Sequence, residues 1–203
     1  MPRLAAHPVV LASASTARAA LLAAAGLDLC ADPAGIDEDA LKSRLRAEGA
    51  EAGQATLALA EAKALRVAAR REGTLAIGAD QMLVLGRRWF DKPKSVAEAR
   101  EHLLALRGRR HELVTAVCVA RADAVLWRHV ERPSLVMREF SEAFLDAYLA
   151  TLGDDVLTTV GAYRLEGPGV QLMARIEGDY FSILGLPLLA LLDFLRSHGV
   201  VPS

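Results

Sequence analysis

The sequence predicts an α/β fold with mixed strands, and three observations carry that expectation. Short apolar runs of strand length, Val9-Val-Leu-Ala12 and Leu75-Ala-Ile-Gly-Ala-Asp80, alternate with longer segments of helical period. Serine or threonine opens and glycine closes several of those helical segments. Two further strand-like runs flank Ala122-Asp123 in the manner of a β-hairpin.

In chain order, Val9–Ala12 reads as a short buried strand, and Ser13-Ala-Ser-Thr16 leads into a helix from about Ala17 to Ala25, stopped by Gly26. Asp28–Leu41, with Pro33, Gly35 and Asp37-Glu38-Asp39, reads as turn-like. A long helix fits Thr56–Arg71, with Leu57, Ala60, Ala64 and Val67 on one face. Leu75–Asp80 reads as a buried strand ending on a carboxylate, continued by Met82–Leu85. Ser95-Val-Ala-Glu98 is a capping-box sequence for a helix ending near Gly108. Glu112–Arg121 and Ala124–Glu131 form the hairpin, continued by Ser134–Phe140. Ser141 caps a helix to Gly153, and a last helix spans about Leu188–His198.

At 203 residues, 53% hydrophobic and 24% charged, the chain suits one globular domain able to bury a core unaided. A net charge of -1 argues against a nucleic-acid partner, which needs a basic field. Arg70-Arg71, Arg87-Arg88 and Arg107–Arg110 read as solvated surface. Cys30 and Cys118 are isolated in apolar surroundings and are expected to be buried thiols of a reducing, cytoplasmic protein. No apolar run reaches a membrane span of about 18 residues. The stretch from Pro8 to Ser15 is too short and too weakly basic for a secretory leader.

Four segments carry candidate chemistry. Ser13-Ala-Ser15-Thr-Ala-Arg18 lies between strand and helix, so it is either a phosphate cradle with an arginine fork or a plain cap with a surface arginine. Asp80, followed by Gln81, ends an apolar strand and is either a metal-binding or catalytic carboxylate or a turn residue. Lys92 in Asp91-Lys-Pro-Lys94 pairs phosphate charge or is an ordinary surface lysine. Gly161–Gly169, containing Tyr163, Arg164 and Glu166, and Arg175–Tyr180 form either a ligand-approaching backbone or a tight turn plus hairpin. No P-loop, GxGxxG, HExxH or GxSxG motif is present.

Taken in order, these segments resemble the Maf family of nucleotide pyrophosphatases. The matching stretches are Leu11-Ala-Ser-Ala-Ser15 with Arg18, Ile36-Asp-Glu38, Ala62-Lys-Ala64, Ile77-Gly-Ala-Asp80 and Asp91-Lys-Pro93. They continue through Leu106-Arg-Gly-Arg109, Gly161-Ala-Tyr163, Glu166-Gly167 and Ile176-Glu-Gly-Asp-Tyr180 to Leu184-Gly-Leu-Pro187. The resemblance implies a mixed twisted sheet flanked by helices, related to inosine triphosphate pyrophosphatases, with two lobes around a central cleft in one domain over 1–203. It also implies a metal-dependent cut of a nucleoside triphosphate into monophosphate and pyrophosphate. Ser13, Ser15 and Arg18 would hold the triphosphate, with Lys63 and Lys92 adding positive charge. Asp80 and Glu38 would bind Mg²⁺ or Mn²⁺, and one of them would orient or deprotonate the attacking water. A homodimer is implied as well.

The family usually has Ser-Pro-Arg-Arg where this chain has Ser15-Thr-Ala17-Arg18, which implies weaker triphosphate binding or another cation, such as Arg164. Gln81 and Glu166 resemble members that cleave 7-methyl-GTP, and Gly161-Ala-Tyr163 looks more like the dTTP/UTP group. A carboxylate suits a guanine edge, whereas an amide that both donates and accepts suits uracil or thymine. The expectation leans to a modified guanosine nucleotide. The rival to an enzyme is a non-catalytic, nucleotide-binding regulator of cell division.

Overall fold

The computed structural model describes residues 9–202, so the first residue of the leader-like stretch, Pro8, lies outside it. The chain divides into two compact units. The first comprises residues 9–81, 115–131 and 179–202, and the second residues 82–114 and 132–178.

In the first unit, β1 (Val9–Leu11) pairs in parallel with β2 (Leu29–Ala31) and with β3 (Leu75–Leu85). β3 is followed in the sheet by β5 (Arg110–Arg121), which carries β6 (Ala124–Glu131) antiparallel. Period-2 alternation sorts the side chains of these strands onto two faces. Val9, Leu11, Leu75, Ile77, Val117 and Val119 share one core with Leu22 of α1 (Thr16–Ala24) and Leu191 and Leu195 of α7 (Leu188–Ser197). Val10, Ala76, Ala116 and Cys118 share the other with Ala60, Ala64 and Val67 of α3 (Ala52–Ala68). The α3 face is thus built mainly from alanine, so that helix can sit close to its strands.

Gly78 makes the approach closest. A Cβ there would lie 2.1 Å from the Ala60 carbonyl oxygen and 2.6 Å from the Ala64 nitrogen. No side chain larger than hydrogen fits between β3 and α3 at this level.

In the second unit, β4 (Arg88–Phe90) lies antiparallel on the end of β3, with Leu83 opposite Phe90. β7 (Ser134–Met137) pairs with the start of β5, and β8 (Met173–Glu177) pairs with β7. α4 (Val96–Leu106) and α5 (Glu142–Leu152) complete the unit, each opened by a serine whose hydroxyl accepts a backbone N–H. Three short 3₁₀ turns fill Gly153–Leu157, Val160–Ala162 and Pro168–Leu172.

The architecture is the expected α/β one, with mixed strands and helices around the sheet, and three expectations need correction. Asp28–Leu41 is not all turn. It contains β2 and the start of α2 (Glu38–Ala47), which Asp37 caps by accepting the Ala40 N–H. That helix buries no residue fully, and its only large apolar side chains, Leu41 and Leu45, are half-buried among polar neighbours, a weak signal to read. The long helix begins at Ala52, where Gln54 accepts the Glu51 N–H in a capping arrangement. Cys30 is exposed, because short β2 lies at the end of the strand order, while Cys118 is buried as expected. Among the described residues, no helix is long and apolar enough to cross a membrane.

Candidate active site

The expected site residues of the first unit fall into three adjoining groups. The first is at the start of α1. Ser15 is its N-cap and its hydroxyl accepts the Arg18 N–H, while the Ser13 hydroxyl accepts the Ser15 N–H. The Arg18 guanidinium folds back on this turn, donating from Nε to the Gly185 carbonyl at 2.8 Å and from Nη1 to the Ser13 hydroxyl at 3.3 Å. Its Nη2 is thereby the nitrogen with no internal bond among the described residues. Burial pulls this guanidinium below its ordinary pKa, opposed by the charges of Asp80 and Glu38. Ala17, the departure from the family's pattern, is exposed in the first turn.

The second group is built on α3 and β3. The buried stripe of α3 runs Ala52, Ala55, Thr56, Leu59, Ala60, Lys63, Ala64, Val67, so Lys63 occupies a position where an apolar residue would stand. Its ammonium bonds Asp80 Oδ1 at 2.7 Å and Glu38 Oε2 at 2.8 Å. Asp80 is two residues beyond Gly78 on β3, hence on the same face, beneath α3. The close seating at Gly78 is what lets Lys63 reach it. Both Lys63 and Asp80 are 5% exposed, whereas the Glu38 side chain is 42% exposed, so the pair is a buried anchor and the third member meets solvent.

This arrangement leaves a demand unmet. Asp80 Oδ2 is buried and has no hydrogen-bond partner among the described residues. A buried carboxylate oxygen without a donor carries a penalty of several kcal/mol unless a cation or proton supplies one. No cluster of three or more metal-ligating side chains occurs among the described residues. A pair of carboxylates nevertheless fits a hard divalent ion such as Mg²⁺, which takes one or two carboxylates and fills its remaining positions with phosphate oxygens and water.

The third group was only half legible. Gln81 Nε2 donates to the Thr115 hydroxyl at 2.9 Å, to the Ser182 carbonyl at 2.9 Å and to the Ile183 carbonyl at 3.1 Å. Thr115 Oγ1 donates to the same Ser182 carbonyl at 2.8 Å, and the Ser182 hydroxyl donates to Glu131 Oε2 at 2.8 Å. Ser182 is held in α6 (Tyr180–Ile183), whose N-cap Asp179 accepts the Ser182 N–H. Thr115 and Ser182 are fully buried and were missed. Their signal was a hydroxyl inside an apolar strand run and one in a short capped turn. Gly185, at φ +105°, joins the groups: a Cβ there would lie 3.6 Å from Arg18 Nε and 3.9 Å from Gln81 Oε1.

Lys92 and Glu166 belong to the second unit, and both are exposed. Arg164, the substitute cation considered for Ala17, is also in the second unit and donates to the Thr158 hydroxyl at 2.9 Å.

The description Maf-like protein matches residues 8–198 of the chain. A nucleoside triphosphate pyrophosphatase of Granulibacter bethesdensis is 54% identical over 190 residues, covering 94% of this chain and 96% of that one. A nucleoside triphosphate pyrophosphatase of Rhodospirillum rubrum is 52% identical, covering 97% of each. A 7-methyl-GTP pyrophosphatase of Rhizobium meliloti is 51% identical, covering 96% of this chain and 98% of that one. The solved nucleoside-triphosphatase / dITP/XTP pyrophosphatase of Mycobacterium abscessus aligns over 94% of this chain at 15% identity and a TM-score of 0.43, a likeness too loose to argue from.

Proposed function

We propose, from the premise that this chain belongs to the Maf-like protein family, that it hydrolyses a nucleoside triphosphate to the monophosphate and pyrophosphate. The observation that carries the mechanism is Asp80, buried with one oxygen on Lys63 and the other without a partner among the described residues.

Ser13, Ser15 and Arg18 receive the triphosphate. The helix N-terminus supplies backbone N–H groups, and Arg18 Nη2 supplies a charged donor held in place by the bonds to Gly185 and Ser13. Lys63 holds Glu38 and Asp80 together, which keeps two carboxylates close without mutual repulsion. Asp80 and Glu38 would hold a divalent ion, Mg²⁺ or Mn²⁺, which would supply neutralisation of phosphate oxygens and acidification of water. One of the two carboxylates, Asp80 or Glu38, through an oxygen that the ion leaves free, orients or deprotonates the water that attacks the α-phosphorus. Lys92 is assigned further positive charge for the triphosphate, as the family resemblance implies. Positioning and charge neutralisation do most of the work in phosphoryl chemistry of this kind.

The base is read as a modified guanosine, 7-methyl-GTP being the named substrate of the Rhizobium meliloti relative and of one from Mesorhizobium japonicum at 48% identity. Glu166 and Gln81 are the residues assigned to it. The reading includes free nucleotides as substrates, a cytoplasmic setting and a homodimer, the last checked by sedimentation.

Pyrophosphate release with Mg²⁺ or Mn²⁺ over dTTP, UTP, GTP and 7-methyl-GTP tests the reading. Turnover is expected, strongest with 7-methyl-GTP. Folded protein with metal present that cleaves none of them overturns it in favour of a binding-only regulator, with Ala17 the first position to restore to arginine.

A further inference from the structure

The Gln81 amide is polarised by its surroundings. Backbone carbonyls can only accept, so the Ser182 and Ile183 oxygens at 2.9 and 3.1 Å require the NH₂ group to face them. Thr115 has one hydroxyl proton and donates it to the Ser182 carbonyl, so it too presents a lone pair to Gln81. Both amide protons are therefore consumed by three acceptors. The Oε1 atom makes no hydrogen bond among the described residues, and it stands beside bare Gly185 and the Arg18 guanidinium. An amide in solution offers both donors and an acceptor; this one offers an acceptor alone.

We propose that Thr115 is a positioning residue for base selection: together with the Ser182 and Ile183 carbonyls it holds Gln81 with its oxygen outward, so that the site takes nucleotides whose base presents a ring N–H, namely the keto bases guanine, hypoxanthine, uracil and thymine. The inference rests on the nucleotide reading above. Adenine N1 and cytosine N3 are ring acceptors and would set lone pair against lone pair at Gln81 Oε1. Selection against a mismatched polar edge is strong because the buried groups are left unpaired. Thr115 is 0% exposed and lies on β5, so it acts on substrate only through Gln81.

The test compares each parent with its N-methylated partner: UTP against N3-methyl-UTP, and GTP against N1-methyl-GTP. The wild-type chain should favour the parents in kcat/KM by at least about tenfold, the worth of one good hydrogen bond. Thr115→Val, which keeps the shape and removes the hydroxyl, should shrink that ratio severalfold through a raised KM for the parents. Thr115→Ser should restore it. A fall in kcat that is equal for parent and methylated substrate, or an unchanged ratio, overturns the positioning role while leaving the hydrolase reading in place. Wild-type protein that cleaves none of the four overturns both. Thr115→Ala carries the same comparison should the valine variant fail to fold.

Discussion

The α-carbon of Gly78 and the carbonyl oxygen of Ala60 approach so closely that a Cβ on the glycine would stand 2.1 Å from that oxygen. The separation is set by backbone on both sides, so no side-chain rotation relieves it. It follows that the Lys63–Asp80 contact depends on a residue that touches neither of them.

Gly78→Ala should therefore force α3 away from β3. Overpacking of this kind costs about 3 kcal/mol when backbone must move. Urea unfolding should show that loss, and turnover should fall with it because Lys63 no longer reaches Asp80. A variant as stable as the parent would show that the two elements part more easily than their packing implies.

Asp80→Asn keeps the volume and removes the charge. Turnover should drop by about 10² to 10⁴-fold, the range for loss of a general base. The far-UV spectrum should be unchanged, since Lys63 keeps Glu38 at 2.8 Å. Unchanged kcat would remove Asp80 from the mechanism.

Glu166→Gln tests the base assignment from the second unit. Preference between guanine and pyrimidine triphosphates should shift toward the pyrimidines, measured as a ratio of kcat/KM values. An unaltered ratio would free Glu166 of that role.

His111 is buried and shares a 2.8 Å hydrogen bond with the Tyr163 hydroxyl. Burial pulls its pKa down from 6.5 to about 4, against a smaller raising contact with the Arg109 backbone. The unfolded chain then binds a proton that the folded chain refuses between those values, so stability present above pH 6.5 is lost as pH falls toward 4. The loss is about 3 kcal/mol at most. Urea midpoints at pH 7 and pH 4.5 should show it, and His111→Gln should flatten the slope.

The two cysteines should separate under a thiol reagent. Cys30 is exposed, while burial raises the Cys118 thiol to about 12. Native protein should titrate one thiol quickly and denatured protein two.

Local signals made much of this molecule legible. Short continuous apolar runs located β1 and β3, and serine caps located α1, α4 and α5, because these signals act over a few residues. The ordered motifs named Asp80, Glu38, Lys63 and Arg18, and the structure brings these four into one unit. Helix α2 escaped because it buries no residue fully, and Leu41 and Leu45 alone among polar residues give a faint period. Cys30 was misjudged because apolar neighbours in sequence do not reveal that a strand ends a sheet.

The sequence by itself determined the kinds of element, their order, and the residue types able to handle phosphate and a divalent ion. Only the tertiary structure decided that Lys63 spends its charge on two carboxylates, that Asp80 keeps one oxygen unpaired, and that Thr115 and the Ser182 carbonyl consume the donors of Gln81. The reason is separation along the chain. Lys63 and Asp80 stand 17 residues apart and Gln81 and Ser182 stand 101 apart, far beyond any helical or strand period. Their meeting follows from the close seating of α3 on alanine and glycine and from the return of the chain at α6.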